Sequence, residues 1–303
     1  MRIVTVGEND KDMRLDKFIL KLCPKMPKSL LYKYIRKKRI KVNGKKADIS
    51  YILNLGDEVS LYVSDGFFKK EDFKSADGKL DIIYEDENII IIEKPKGLKS
   101  QKDKAGEVSL VDLLKSYLYN KGEYDPQKEN TFSPAIANRL DQNTHGLVIG
   151  AKNAAALRFI NEKIKNREIK KYYLCLVEGR PPKDEDTLAG YIIKDEKENK
   201  SRIVTKPQKG AKEVITKYKV LWTDKNHSLL EIELVTGRSH QIRAHLASIN
   251  CPIYGDKKYG GRGEGYQSLY AYKLEFCFKD NSPFDYLNHK TFTMKLEPYK
   301  GII

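Results

Sequence analysis

The stretch EVITKYKVLWTDKNHSLLEIELVTG, Glu213 to Gly237, sets the fold class. It holds two alternating, Val- and Ile-rich segments, EVITKYKVLW and SLLEIELVTG, with no helical period between them; such alternation marks half-buried strands. Four further segments of this kind surround it: KKYYLCLVEG (170–179), SRIVTKP (201–207), SLYAYKLEFCF (268–278) and TFTMKLEP (291–298). Strands in runs, rather than alternating one by one with helices, predict an α+β fold with a mixed, mainly antiparallel sheet, not a doubly wound nucleotide fold. Upstream, LDIIYEDENIIIIEKP (80–95) reads as two strands around an Asp-Glu-Asn turn, and GLVIGA (146–151) as a short strand. SLVDLLKSYLYNKG (109–122) reads as a helix ended by Gly122, and NAAALRFINEKIKNREI (153–169) as a helix capped by Asn153.

The amino-terminal part has a different character. Between Lys17 and Ala47 stand twelve Lys or Arg and no Asp or Glu, most of the surplus behind the formal net charge of +15. Leu15, Phe18, Ile19 and Leu22 follow the i, i+3, i+4, i+7 stripe of a core-facing helix, and Leu30, Leu31, Tyr34 and Ile35 suggest a second. RIKVNGKKA then signals a hairpin around Asn43-Gly44, and GDEVSLYV a closing strand. The sequence thus divides into residues 1–64, a linker at 65–79 without apolar periodicity, and a larger unit at 80–303. A basic surface of this kind points to a polyanionic partner.

Other classes are disfavoured. No apolar run approaches the ~18 residues of a membrane span, and the start MRIVTVGENDKDMRLDKF lacks the features of a secretory signal, so a cytoplasmic protein is expected. The four cysteines form no CxxC pair, and neither disulfides nor structural zinc are expected. No GxGxxG, P-loop or internal repeat is present.

RLDKFI (14–19), KSLLYKYIRKKRIKVNG (28–44) and GDEV (56–59), in that order, resemble the S-four RNA-binding module over about Arg14 to Val63. EDENIIIIEKPKGL (85–98), NRLDQNTHGLVIGAKN (138–153), KKYYLCLVEG (170–179) and LVTGRSHQIRAHLASINCPIYGDKKYG (234–260) resemble, in order, the motifs of the pseudouridine synthase family that modifies large-subunit ribosomal RNA and tRNA. The resemblance implies a uridine isomerase acting most readily on large-subunit ribosomal RNA, with tRNA, or a non-catalytic RNA-binding role in ribosome assembly, as the alternatives. RNA is the implied partner, with no DNA or membrane, and the chain is expected to act as a monomer.

The same resemblance assigns roles. Asp141, which by itself reads as an Asx-turn residue, matches the family's catalytic aspartate, and Arg243 of HQIR matches the arginine that would keep it ionised. Tyr173 matches the tyrosine beneath the target base, while Tyr172 on the other strand face is expected to pack. Arg139 is expected either to enter the RNA stack when the base leaves it or to form a plain salt bridge. Arg238 would bind phosphate or brace its loop, and Lys94 is structural or phosphate-contacting. Lys33, Arg36, Lys37, Lys38, Arg39 and Lys41 are the expected phosphate contacts of the first unit. His240 and His245, five apart, would not share a helix face, so no metal and no cofactor are expected. Asn138, the run Thr144-His145-Gly146, and Tyr270 depart from the family pattern.

Overall fold

The computed structural model describes residues 1–68, 73–104 and 106–294. Its first unit runs β1 (Arg2–Thr5), α1 (Leu15–Leu22), α2 (Lys28–Arg36), β2 (Ile40–Val42) and β3 (Glu58–Leu61), with the sheet order β1-β3-β2. Leu15, Phe18, Ile19 and Leu22 are all buried, as their spacing requires, whereas α2 buries only Leu31 and Ile35 of its four apolar positions. The hairpin expectation needs correction. Asn43 and Gly44 do take the left-handed conformations of a tight turn, and Val42 and Lys45 exchange backbone hydrogen bonds, but the second arm ends there. β2 pairs instead with β3, so the GKKA arm contributes a turn and not a strand.

The second unit contains β4 (Asp81–Glu85), β5 (Ile89–Lys94), α3 (Leu110–Asn120), β6 (Ala135–Ile136), β7 (His145–Ala151), α4 (Ala154–Lys165), β8 (Ile169–Glu178), β9 (Glu185–Asp195), β10 (Lys200–Val204), β11 (Lys212–Thr223), β12 (His227–Leu234), α5 (Gln241–Ser248), β13 (Leu269–Phe276) and β14 (Thr291–Thr293). The strands form one sheet in the order β10-β9-β11-β12-β8-β13-β7-β5-β4, with β14 beside β13 and β6 beside β7. β13 runs parallel to β7 and antiparallel to β8, so the mixed, mainly antiparallel sheet expected from the sequence is present. The last part of TFTMKLEP, residues 295–298, lies outside the described residues.

Each sheet face carries its own core. Ile90, Ile92, Val148, Tyr173, Cys175 and Leu230 meet Leu114 of α3 and Ile242 and Leu246 of α5 on one face. Ile89, Ile91, Leu147 and Ile149 meet Ala156 and Ile160 of α4 on the other. A strand covered on both sides reads as a continuous apolar run, which is why β5 is IIII. At the parallel junction Gly146 has φ +134°, and a Cβ there would stand 2.3 Å from the Ala271 carbonyl oxygen, so only glycine lets β7 and β13 approach. The capping expectations match: Asn153 accepts from the Ala156 N–H at the start of α4, and Gly122, at φ +77°, follows α3.

In the segment read as a linker, residues 69–72 lie outside the described residues; Phe67 and Phe68 pack on the first unit's core and Phe73 on the second. The two units also touch through the loop after β1. Asn9 Oδ1 accepts from the Ala154 N–H at the head of α4 (2.9 Å), and the buried Asp10 accepts from Asn130 (2.8 Å) and Thr131 (2.6 Å). Among the described residues no helix is long and apolar enough to cross a membrane.

Candidate active site

Asp141 lies in the loop between β6 and β7, over the face that holds Tyr173 and α5. The loop is pinned from three sides. Ser100 donates to the Leu140 carbonyl (2.7 Å) and accepts from the Leu140 N–H (3.0 Å); Gln142 and Gly97 exchange hydrogen bonds; Asn138 donates to the Leu147 carbonyl and accepts from the Ile149 N–H. Asn138, one of the departures, thus ties the loop to β7 through its own amide. Lys94 is fully buried and donates to the carbonyls of Pro95, Leu98 and Gln142 at 2.7–2.9 Å. Burial pushes its ammonium down to about 8, against the opposing pull of Asp141. Of its two expected roles it fills the structural one.

Arg243 projects from the first turn of α5. Its Nη1 donates to Asp141 Oδ2 at 3.1 Å, while Nε and Nη2 fork onto the two oxygens of Asp256 at 2.6 and 2.8 Å. The Arg243 side chain is 8 % exposed, Asp256 2 % and Asp141 30 %, so the pair has a dry inner end and an open outer one. Burial works against the guanidinium charge, but the two carboxylates outweigh it and hold Arg243 more basic than usual. Its plane also lies 4.8 Å over the Tyr259 ring. Tyr173 stands buried in the same cluster; burial first, and the Asp141 charge second, push its phenol well above the ordinary range. The three residues matched to the family's motifs therefore meet in one place.

The other expectations sort by exposure. Arg139 and Arg238 are exposed, and neither meets a carboxylate among the described residues, so Arg139 lacks its salt bridge and the Arg238 side chain does not brace the loop. Gln241 does that bracing: it accepts from the Arg238 N–H and Thr236 hydroxyl and donates to Ile215 and Thr216. Tyr172 donates to Glu275 on a half-exposed face instead of packing in a core. His240 is not on the helix at all; it precedes α5 with φ +55° and meets the Tyr259 hydroxyl, whereas His245 is buried against Thr216. Burial pushes His245 down to about 4. His145 and Tyr270 are neighbours across the parallel junction, with Glu93 against His145 and Lys96 against Tyr270. On the first unit Lys33, Arg36, Lys37, Lys38 and Arg39 are exposed and Lys41 is half-buried; Arg39 lies over Tyr34 and Lys41 over Tyr62.

Asp256 and Tyr259 were not singled out from the sequence. Their signal was present in GDKKYG, an acid and an aromatic held between two glycines that both take left-handed backbone, Gly255 and Gly260.

A profile of the RNA pseudouridylate synthase family matches residues 88–248, and an S4 domain profile matches residues 13–59. An uncharacterized RNA pseudouridine synthase of Mycoplasma capricolum is 36% identical over 94% of both chains. The chain belongs to the RNA pseudouridine synthase family. The synthase is also 32% identical, over 82% of each chain, to a protein of Rickettsia felis named ribosomal large subunit pseudouridine synthase C. The solved human RNA pseudouridylate synthase domain containing 4 shares its fold, with a TM-score of 0.56 at 22% identity, covering 72% of this chain and 88% of that one. With the S4 domain ahead of the synthase domain, the chain is an RNA-acting enzyme.

Proposed function

We propose that the protein converts uridine to pseudouridine in large-subunit ribosomal RNA, with Asp141 as the carboxylate that acts at the sugar. The observation that carries this reading is the Asp141–Arg243 ion pair at the edge of a buried floor containing Tyr173. The reaction breaks the N1–C1′ bond, turns the base and joins C5 to C1′; C5 gives up a proton and N1 gains one. Atoms and charge balance within the substrate, so the chemistry calls for no cofactor. Attack at C1′ and removal of the 2′ proton both require an ionised carboxylate at the sugar, and Arg243 sets a buried cation 3.1 Å from Asp141 Oδ2. Tyr173 supports the base, and its neutral phenol holds a proton close to it. Exposed Arg139 fills the gap left in the RNA stack, and Arg238 with the cations of the S4 face takes phosphates. The large-subunit target is supported by the names of the Rickettsia relatives. The protein works there as a single chain in the cytoplasm.

The test maps pseudouridine by carbodiimide-dependent reverse-transcription stops in ribosomal RNA and tRNA from cells lacking the protein and from cells rescued with wild type or Asp141→Asn. A large-subunit stop that vanishes in the null and returns only with wild type is the expected result. A tRNA stop behaving this way would move the target. Unchanged stops, followed by silence of the purified protein on unmodified transcripts, would overturn the catalytic reading.

A further inference from the structure

The two oxygens of the Asp141 carboxylate are not equivalent. Arg243 Nη1 donates to Oδ2 at 3.1 Å, and His240 Nε2 lies 3.9 Å from that same Oδ2. No described residue donates to Oδ1. One oxygen is held, and the other has no donor among the described residues on a side chain that is 30 % exposed.

His240 is held from behind as well. Its Nδ1 is 3.0 Å from the Tyr259 hydroxyl, and the two rings meet edge to face at 5.7 Å. The hydroxyl accepts the Ser201 N–H at 2.7 Å, and His240 Nδ1 is an acceptor within reach of its own proton, so donation to the imidazole satisfies both groups. Nδ1 then accepts, and a neutral ring must carry its proton on Nε2, the nitrogen nearer Asp141. Burial favours that neutral ring; Asp141 opposes the effect, and Arg243 and Lys258 reinforce it. His240 takes φ +55° and ψ 21°, the left-handed conformation that sets its side chain ahead of α5 rather than on it.

We infer that His240 is a positioning residue: its Nε2–H, aimed by Tyr259, joins Arg243 on Asp141 Oδ2 and leaves Oδ1 as the oxygen that acts on the sugar. The inference rests on the function proposed above. At 3.9 Å the contact is longer than a hydrogen bond, and a small rotation of the partly exposed carboxylate closes it once RNA covers the site.

The experiment compares His240→Gln with His240→Asn and Tyr259→Phe, in single- and multiple-turnover assays on an unmodified transcript of the large-subunit ribosomal RNA. The glutamine amide nitrogen reaches the place of Nε2; the asparagine amide nitrogen reaches only the place of Nδ1. His240→Gln is expected to keep kcat within about 3-fold of wild type, and His240→Asn to lose about 30-fold, the scale of one hydrogen bond to a charged group. KM for the transcript should stay unchanged in both. Tyr259→Phe, which keeps the ring but releases the imidazole, should lose about 10-fold in kcat on the same scale. A purely backbone role predicts the opposite order, since asparagine accepts the left-handed conformation better than glutamine. Equal rates, a faster His240→Asn, or an unaffected Tyr259→Phe would overturn the inference while leaving the proposed function standing. Silence of folded wild-type protein on every transcript would instead strike the function itself, and the inference with it.

Discussion

Arg243 serves two carboxylates with one planar group. Its fork goes inward to Asp256, and one remaining nitrogen goes outward to Asp141. A lysine has a single ammonium and cannot hold two acids in fixed directions, so the geometry depends on arginine. Asp256→Asn takes the charge from the inner partner and leaves the guanidinium half-compensated in a dry place; stability should fall by about 3 kcal/mol, the low end for breaking a buried pair. Urea unfolding checks it, and an unchanged midpoint would mean that water or a rotated amide replaces the carboxylate. The sequence made the outer half of this arrangement readable, because Asp141, Tyr173 and Arg243 each sit in a recognisable motif. It hid the inner half: Arg243 and Asp256 are on different local structures, a helix and the loop beyond it, and no period connects them. His240 is hidden for a related reason: its spacing from His245 has meaning only if both are helical, and its left-handed backbone stands before α5 begins.

At the scale of elements, the legible pieces are those whose pattern is local. The helices α1, α3 and α4 announced themselves by stripe and cap, and β5 by an apolar run. β9 did not, because most of its residues are exposed or half-exposed and it carries neither a clean alternation nor an apolar run. Asn43-Gly44 misled for a different reason: the turn chemistry was correct, and the pairing was decided by β3, further along the chain. Elements are joined here by a few charged hubs. Glu85 at the end of β4 accepts from Tyr117 (2.7 Å) and Lys121 (2.8 Å) around the end of α3, and from Lys152 beyond β7 (2.9 Å). Burial alone would raise its carboxyl, but these three donors outweigh burial and hold it down at about 2. A carboxyl lowered in the folded state adds stability above its ordinary value of 4.5 and loses it as pH falls toward 2. The urea midpoint should therefore drop between pH 6 and pH 3, and drop less in Glu85→Gln; parallel curves for the two proteins would remove Glu85 from the acid response.

For the whole molecule, the question is how an S4 face is carried relative to the active site. Asn9 and Asp10 make the connection, with Asp10 buried between Asn130 and Thr131 and Asn9 at the head of α4. The joint Asn9→Ala and Asp10→Ala variant should bind its RNA less well, with KM raised several-fold and kcat kept, because each unit retains its own core while four hydrogen bonds that orient them are lost. Steady-state kinetics decide it; a fall in kcat alone would place the effect in the catalytic unit. None of this could be read from the sequence, where GENDKD is an ordinary polar loop. The strand order carries a consequence in time. β13 is inserted between β8, which bears Tyr173, and β7, which follows the Asp141 loop. During synthesis β7 is complete at Ala151 and β8 at Glu178, both well before β13 begins at Leu269, so the nascent chain holds every residue of the ion pair before the sheet beneath it can close. Until residues 269–276 have left the ribosome, β7 and β8 lack the strand that stands between them, and a polypeptide stalled short of them carries the paired charges on a sheet still in two pieces.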